Sequence, residues 1–451
     1  MNETTELSGW RRRKVLIAAA AGNFTEWYDW GVYGVVATII AAQFFEPGNP
    51  TAALLSTFAV FALGYLARPV GGIVFGRIGD KHGRKRALSL TILLTCGGTA
   101  AMGLLPTYDK VGLLAPVLLL VCRLAQSMGA GGEYASAIGF VYEHSPTADR
   151  SKNVSKLIAT SFIGIMIGSV FARIASAVLG DEAFAAYGWR ILFLLGLPLA
   201  AIGFYLRSRA DETPEFEQLK RERAAAKEVA TPLADALRSY RPLMVTFMIA
   251  TASYALISTT ITSYLVTFLQ QTNGLTANQT YTASIVSNVA VIASTLVVGL
   301  YCDRIGLRTT FIVSGTIVAI VAVPALMLAA HGYTGGIVGS AVIGICKGML
   351  AVPALLALSQ MFPIAVRITA GALAYNVVQA IFGGTGPAIG VTLNELTGGP
   401  NGFALYLAVL AAVTTLTAWC ARNAFDRSDN PDYHPAALAG CPQTTATQTG
   451  Q

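Results

Sequence analysis

Charge is scarce in this 451-residue chain: only 12% of residues are Asp, Glu, Lys or Arg, while 54% are hydrophobic and the mean hydropathy is +0.57. A set of soluble domains carries about twice that charge, so water is not the main solvent here. No G-x-x-x-x-G-K-[ST] loop occurs, which argues against ATP as the energy source. The histidines, His82, His144, His331 and His434, are scattered without metal-ligand spacing. Cysteine is sparse too. Cys96, Cys122, Cys346 and Cys420 lie in apolar runs, Cys302 in a short loop and Cys441 near the C-terminus, so no extracellular disulfide framework is expected. With no nucleophile and base in a membrane-protease arrangement either, neither an enzyme nor a bound cofactor is expected.

What fills the chain is long apolar runs. A helix needs about 20 mostly apolar residues to cross a bilayer, because every backbone polar group in hydrocarbon must be paired within the chain. Such runs recur at 15–41, 54–75, 87–105, 113–141, 157–179, 190–206, 243–269, 281–301, 310–330, 336–361, 372–395 and 403–421. They predict an all-α polytopic membrane protein with twelve transmembrane helices. Arg11-Arg12-Arg13-Lys14 before an apolar stretch imitates a signal peptide, but the stretch is too long and carries Glu26 and Asp29, so a retained first helix is expected.

The net charge of +7 is explained by placement. With the N-terminus inside, 25 of the 31 Lys and Arg fall in cytoplasmic segments, Lys110 falls in an outer loop, and Arg68, Arg123, Arg173, Arg190 and Lys347 lie at membrane depth. This is the positive-inside pattern, which orients both termini to the cytoplasm and removes the need for a nucleic-acid partner. The one long polar interruption, Arg207 to Arg241, divides the spans six and six. Five segments result: a basic N-terminal segment 1–14, a six-helix bundle 15–206, a central cytoplasmic loop 207–241, a second bundle 242–422 and a tail 423–451 expected to be disordered.

The halves repeat each other. Gly76-Arg77-Ile78-Gly79-Asp80-Lys81-His82-Gly83 and Gly299-Leu300-Tyr301-Cys302-Asp303-Arg304-Ile305-Gly306 share Gly, Asp and Gly at identical spacing, 223 residues apart. Both copies join the second and third helices of their halves, which predicts two pseudo-symmetric bundles with a substrate site between them at mid-depth. Asp80 and Arg84, with Asp303 and Arg304 in the second copy, are candidate gating residues at cytoplasmic turns. A mere cluster of topology-setting charges is the alternative, but it does not account for the repeat.

The first span carries Gly22-Asn23-Phe24-Thr25-Glu26-Trp27-Tyr28-Asp29-Trp30-Gly31, with two carboxylates at i and i+3 on one face. Each costs roughly 2.5–3.5 kcal/mol at the bilayer centre unless it finds water, a cation or a proton. Proton loading and a structural ion pair are both open readings for each. Trp27, Tyr28 and Trp30 read as packing or interfacial anchors. Arg123 lies midway through the fourth span, with Glu133 ten residues further inward, either transport-related or a structural ion pair. A guanidinium at mid-depth favours the ionised form of a nearby carboxylate, so Glu26 or Asp29 is the expected partner. Arg173 and Lys347 interrupt apolar helices of opposite halves and are candidates to grip a substrate carboxylate from two sides, with snorkelling the alternative, above all for Arg173. Tyr33, Tyr254, Asn376 and Gln379 are further candidate lining residues, and Pro353 and Pro387 candidate bends.

The repeated turn resembles the signature loop of the major facilitator superfamily. GNFTEWYDW across residues 22–30 narrows the resemblance to its metabolite:proton symporter family, which includes proline/betaine and α-ketoglutarate transporters. Arg68-Pro69-Val70-Gly71, Arg123-Leu124-Ala125-Gln126, Gly131-Gly132-Glu133, Gly188-Trp189-Arg190, Asp211-Glu212-Thr213-Pro214-Glu215-Phe216, Phe362-Pro363 with Arg367, and Tyr375-Asn376 with Phe382-Gly383-Gly384 follow in the family's order. Three positions depart from the family's pattern: Ser127 and Ser151 where glycine is usual, and Leu192 where proline is common. The resemblance implies alternating access, with Arg123 matching the fourth-span arginine associated with proton coupling. Glu26, Asp29, Arg123 and Glu133 are then the proton-coupling candidates. The expected function is uptake of a small carboxylate-bearing acid or zwitterion driven by the proton gradient, by a monomer in contact with lipid in a bacterial inner membrane. Export of a biosynthetic product, siderophore or drug is the alternative, and a non-transporting membrane sensor a third reading.

Overall fold

A computed structural model describes residues 9–82, 84–131, 133–143, 145–199, 201, 233–362 and 370–425. The expected disorder of the tail from residue 426, most of the central loop, Gly83, Gly132 and Arg367 lie outside them. Every regular element among the described residues is helical.

The helices follow in the order of twelve spans. The first is Gly9–Val35 continued by Ala37–Phe44, the second Pro50–His82, the third Arg84–Leu104. Leu114–Gly129 and Glu133–Glu143 make the fourth, Arg150–Leu179 the fifth, and a π-turn Phe184–Gly188 leading into Trp189–Leu194 the sixth. In the second half come Leu233–Thr259 with Leu265–Asn273, then Ala277–Ile305, Leu307–Ala329, Gly332–Gln360, Ala372–Val378 with Gly386–Thr397, and Asn401–Cys420. Among the described residues eight helices are long and apolar enough to cross a membrane on those grounds alone. Leu93–Leu104 of the third span and Leu114–Gly129 of the fourth are shorter apolar helices.

Several helices outlast their hydrophobic segment. The second span's 33 residues reach about 50 Å at 1.5 Å per residue, against a hydrocarbon core of about 30 Å. The seventh span begins at Leu233, inside the segment expected as loop, with Arg238 and Arg241 exposed on its first turns. Hydropathy marks where lipid ends, but helical backbone bonds continue into water. Pro353 sits inside its helix as expected. Pro387 does not bend one: it starts Gly386–Thr397 after a π-turn Gln379–Gly384, where a missing N–H costs nothing.

The two halves meet through the second span against the eleventh and the fifth against the eighth, with the first span reaching the seventh and the fourth reaching the tenth. The most apolar stretches of the seventh and tenth spans are 72% and 78% buried, against 33–39% for the other six that qualify. These two are therefore the central helices of the second half. Their repeat-related partners in the first half, the first and fourth spans, carry the buried Glu26, Asp29 and Arg123, with Arg68 buried on the second span. Leu93, Val178 and Ile320 are exposed on the outside, as lipid-facing residues are.

Glycines set the closest approach. A Cβ at Gly71 would sit 2.0 Å from Met128 O, and one at Gly131 2.0 Å from Arg68 O, so the second and fourth spans interlock backbone to backbone. Gly97, on the third span, has no heavy atom within 4 Å of its would-be Cβ. Gly71→Val is accordingly expected to lower the thermal midpoint in detergent steeply, since overpacking costs about 1–3 kcal/mol or more. Gly97→Ala should leave it unchanged in the same thermal-shift measurement.

Candidate functional site

The two first-span carboxylates find separate partners. Glu26 forms a buried ion pair with Arg68 Nη2 of the second span. Asp29 turns to the third span, where its Oδ2 accepts from Thr99 Oγ1 at 2.9 Å. Arg123 was the expected partner, but it binds neither carboxylate directly. Its Nη1 donates to Gln126 Oε1 at 2.6 Å, and Gln126 Nε2 donates to Thr99 Oγ1 at 2.7 Å. Two neutral side chains thus separate the guanidinium from Asp29. Arg68 stood in the sequence as a family marker and a cation at membrane depth, with nothing local to show that Glu26 faces it.

Aromatic faces hold the arginines. The Arg123 guanidinium lies 4.0 Å from the Trp30 ring centroid, 4.5 Å from Tyr33 and 4.9 Å from Phe61. Arg68 lies 4.5 Å from the same Trp30 and 5.5 Å from Tyr65. A desolvated cation–π contact contributes about 2 kcal/mol, which helps an arginine of 0% exposure keep its charge. Tyr33 is therefore a wall of this cage, fixed by its hydroxyl donating to Thr57 O at 2.9 Å. Trp30, read from sequence as an anchor, is the floor of both arginine sites.

One tier towards the N-terminal end of the first span, four helices of both halves converge. Trp27 and Tyr134 meet edge to face at 5.2 Å, Tyr134 and Tyr375 lie 6.1 Å apart, and Tyr254 faces both tyrosines. Gln379 Nε2 donates to the Tyr375 hydroxyl at 2.9 Å, and Asn376 Nδ2 to Gly131 O at 3.2 Å across the halves. Asn376 thus joins the eleventh span to the fourth. Tyr134 was not among the sequence candidates, since a tyrosine in an apolar helix carries no sign of which way it faces.

Lys347 is buried in the tenth span. Its Nζ donates to Ser258 O and to Thr262 Oγ1, both at 3.2 Å, and lies 4.4 Å from the Phe162 ring. Its hydrogen-bond partners flank the start of a π-turn, Thr260–Tyr264, that interrupts the seventh span. Arg173 does not join it. That residue is exposed, donates from Nε to Thr282 Oγ1 at 2.9 Å, and sits eleven residues from Phe162, about 16 Å along the fifth span. A long side chain near a helix end reaches the interface instead of the core, so the two-sided grip on a carboxylate is not formed here.

Asp303, at the C-terminal end of the eighth span, caps the fifth. Its carboxylate accepts from Ser151 N at 3.1 and 2.9 Å and from Ser151 Oγ at 2.5 Å, at the first turn of Arg150–Leu179. A carboxylate at a helix N-terminus is favoured by the exposed N–H groups there. Ser151 is one of the positions that depart from the family pattern, and its hydroxyl adds a bond that glycine lacks. Arg304 is exposed beside it. The side chains of Asp80, Arg84 and Glu133 lie outside the described residues.

Buried, paired charges in two helical bundles that touch across a central tier define a membrane transporter. The family profile described as Sugar (and other) transporter matches residues 14–238, and that of the Major Facilitator Superfamily residues 247–440. A putative proline/betaine transporter of Staphylococcus aureus (strain COL) is 34% identical over 413 residues, covering 89% of this chain and 86% of that one. The proline/betaine transporter of Escherichia coli (strain K12) is 34% identical over 442 residues, covering 92% and 85%. A glycine betaine/proline/ectoine/pipecolic acid transporter of Dickeya dadantii (strain 3937) is 33% identical over 435 residues, covering 92% and 84%. Among solved structures, a D-xylose–proton symporter superposes with a TM-score of 0.69 at 16% identity, over 92% of this chain and 98% of that one. The chain belongs to the major facilitator superfamily, in its metabolite:proton symporter family.

Two measurements probe the charges. Removing one member of a buried ion pair costs about 3–5 kcal/mol by stranding the other. Glu26→Gln and Arg68→Gln should each lower the thermal midpoint in detergent, and the double variant should recover part of the loss. For Asp303, the buried Cys302 beside it serves as reporter in a background with the other cysteines replaced by serine. A hydrogen bond to a charged group contributes about 1.5–3 kcal/mol, so Ser151→Ala should speed alkylation of Cys302 by about tenfold.

Proposed function

We propose that this transporter imports a small zwitterion, one carboxylate and one ammonium of the proline or betaine type, coupled to inward proton flow. It works as a monomer in a bacterial inner membrane with both termini cytoplasmic, and its halves, 15–206 and 242–422, rock around the central tier. The observation that carries this reading is the Glu26–Arg68 pair lying against the rings of Trp30 and Tyr65, in the span next to Trp27 and the tyrosine tier. An entering zwitterion replaces each half of that pair: its carboxylate takes Arg68, and its ammonium takes Glu26 and the aromatic faces. A dicarboxylate would leave Glu26 repelled. The names of the relatives agree with such a cargo.

Proton coupling falls to Asp29, with Glu26 as the carboxylate that meets substrate. Arg123 stays within two side chains of Asp29 and supplies the positive field that releases its proton when the pocket opens. Lys347 braces the seventh span's π-turn, where the helix can flex. Asp303 closes the cytoplasmic side through Ser151, and Asp80 with Arg84 is the repeat-related counterpart. A proton moving down 100 mV contributes about 2.3 kcal/mol, enough for roughly 50-fold accumulation of a neutral zwitterion.

Proteoliposomes loaded at neutral pH and diluted into acidic buffer test the reading. Labelled proline or glycine betaine should accumulate, and a protonophore should abolish the accumulation. Asp29→Asn should keep substrate exchange and lose uphill uptake. Accumulation of a dicarboxylate but of no zwitterion, or uptake indifferent to the gradient, would overturn the proposal.

A further inference from the structure

The bonds around Thr99 fix more than its position. Arginine carries donors only, so Gln126 must present Oε1 to Arg123 and therefore Nε2 to Thr99. That uses one of the two lone pairs on the Thr99 hydroxyl. What remains is one proton and one lone pair, facing two oxygens at 2.9 Å each: Asp29 Oδ2 and the carbonyl of Thr95 one turn back. If Asp29 is ionised, the hydroxyl proton points to it. If Asp29 is protonated, its O–H takes the free lone pair and the Thr99 proton turns to Thr95 O. Both states are bonded without moving a heavy atom.

We propose that Thr99 and Gln126 are positioning residues for the coupling reaction: a hydroxyl rotor and an amide that keep Asp29 bonded in both its protonated and its ionised state, so that it exchanges its proton with water when the pocket opens while Arg123 stays in its aromatic cage. This rests on Asp29 being the proton carrier. The surroundings leave the task to Thr99. Asp29 Oδ1 has no hydrogen bond among the described residues, and Gly196 of the sixth span closes over it, its would-be Cβ 3.1 Å away. The charged groups nearby are Arg123 from the fourth span and Glu26 on the same helix, itself paired with Arg68 of the second. Of the flanking tyrosines, Tyr28 donates to Leu192 O and Tyr33 to Thr57 O. From the third span Thr99 is the group that touches the carboxylate, and it is the one hydrogen-bonded to Asp29 Oδ2.

Replacing the rotor separates this role from packing. Thr99→Val keeps the shape and removes the donor, which penalises ionised Asp29 more than protonated Asp29. Losing a hydrogen bond to a charged group is worth about one pH unit. The pH midpoint of substrate exchange in proteoliposomes should therefore move up by about one unit in Thr99→Val, and uphill uptake should fall because the empty, deprotonated carrier returns slowly. Thr99→Ser keeps the hydroxyl and should restore both to wild type. A wild-type pH profile in Thr99→Val, or a defect in Thr99→Ser equal to that of valine, would overturn the relay. Should Thr99→Val fail to fold, Gln126→Met is measured in the same way: it frees the second lone pair and unties Arg123. An unchanged pH profile there overturns the relay, and a shifted one supports it. Asp29→Asn separates the two levels: full gradient-driven uptake in that variant removes Asp29 as the carrier, whereas its loss alongside a normal Thr99→Val removes the relay alone.

Discussion

Two guanidinium groups share one indole ring at the centre of the first half, Arg123 at 4.0 Å and Arg68 at 4.5 Å from the Trp30 centroid. Desolvating two cations so close together is costly, and the rest of the half is arranged around that cost. Glu26 neutralises Arg68 directly. Arg123 instead receives aromatic faces and one amide oxygen, while Asp29 stands beyond two neutral side chains. The cluster is neutral with both carboxylates ionised and carries one positive charge when Asp29 holds a proton. A carrier can use that difference, because the charge state alters which arrangement of the halves is favoured without changing the packing.

The second half solves the same problem with fewer charges. Lys347 meets a backbone carbonyl, a hydroxyl and the Phe162 ring of the opposite half. Its acceptors come from the π-turned stretch of the seventh span, and the eleventh span carries a π-turn as well. Hydrogen bonds join the halves at both ends: Asp303 to Ser151 and Asn376 to Gly131 towards one end, and Thr38 Oγ1 to Gln270 Oε1 and Thr51 Oγ1 to Glu395 Oε1 towards the other.

Much of this was written plainly in the chain. Apolar runs give the helices because lipid permits no unpaired backbone. The Gly-Asp-Gly repeat gives the two halves. Glu26, Asp29, Arg123 and Lys347 are visible as charges where charge is expensive. What a one-dimensional reading cannot contain is azimuth: two carboxylates three residues apart share a face, yet a rotation of about 60° between them sends Glu26 to the second span and Asp29 to the third. For the same reason Arg173, a buried cation by hydropathy, lies exposed at the outer rim, and Tyr134 and Thr99 are functional candidates that no motif marks.

The sequence by itself determined that this is a twelve-helix transporter of one superfamily, since burial of charge and backbone in lipid leaves few other solutions. Tertiary structure alone decided which charges pair. Ion pairs and hydrogen bonds form over about 3 Å, and only the packed angles and glycine-set spacings of the helices bring Arg68 to Glu26, place Ser151 under Asp303, and seat a hydroxyl and an amide between Asp29 and Arg123.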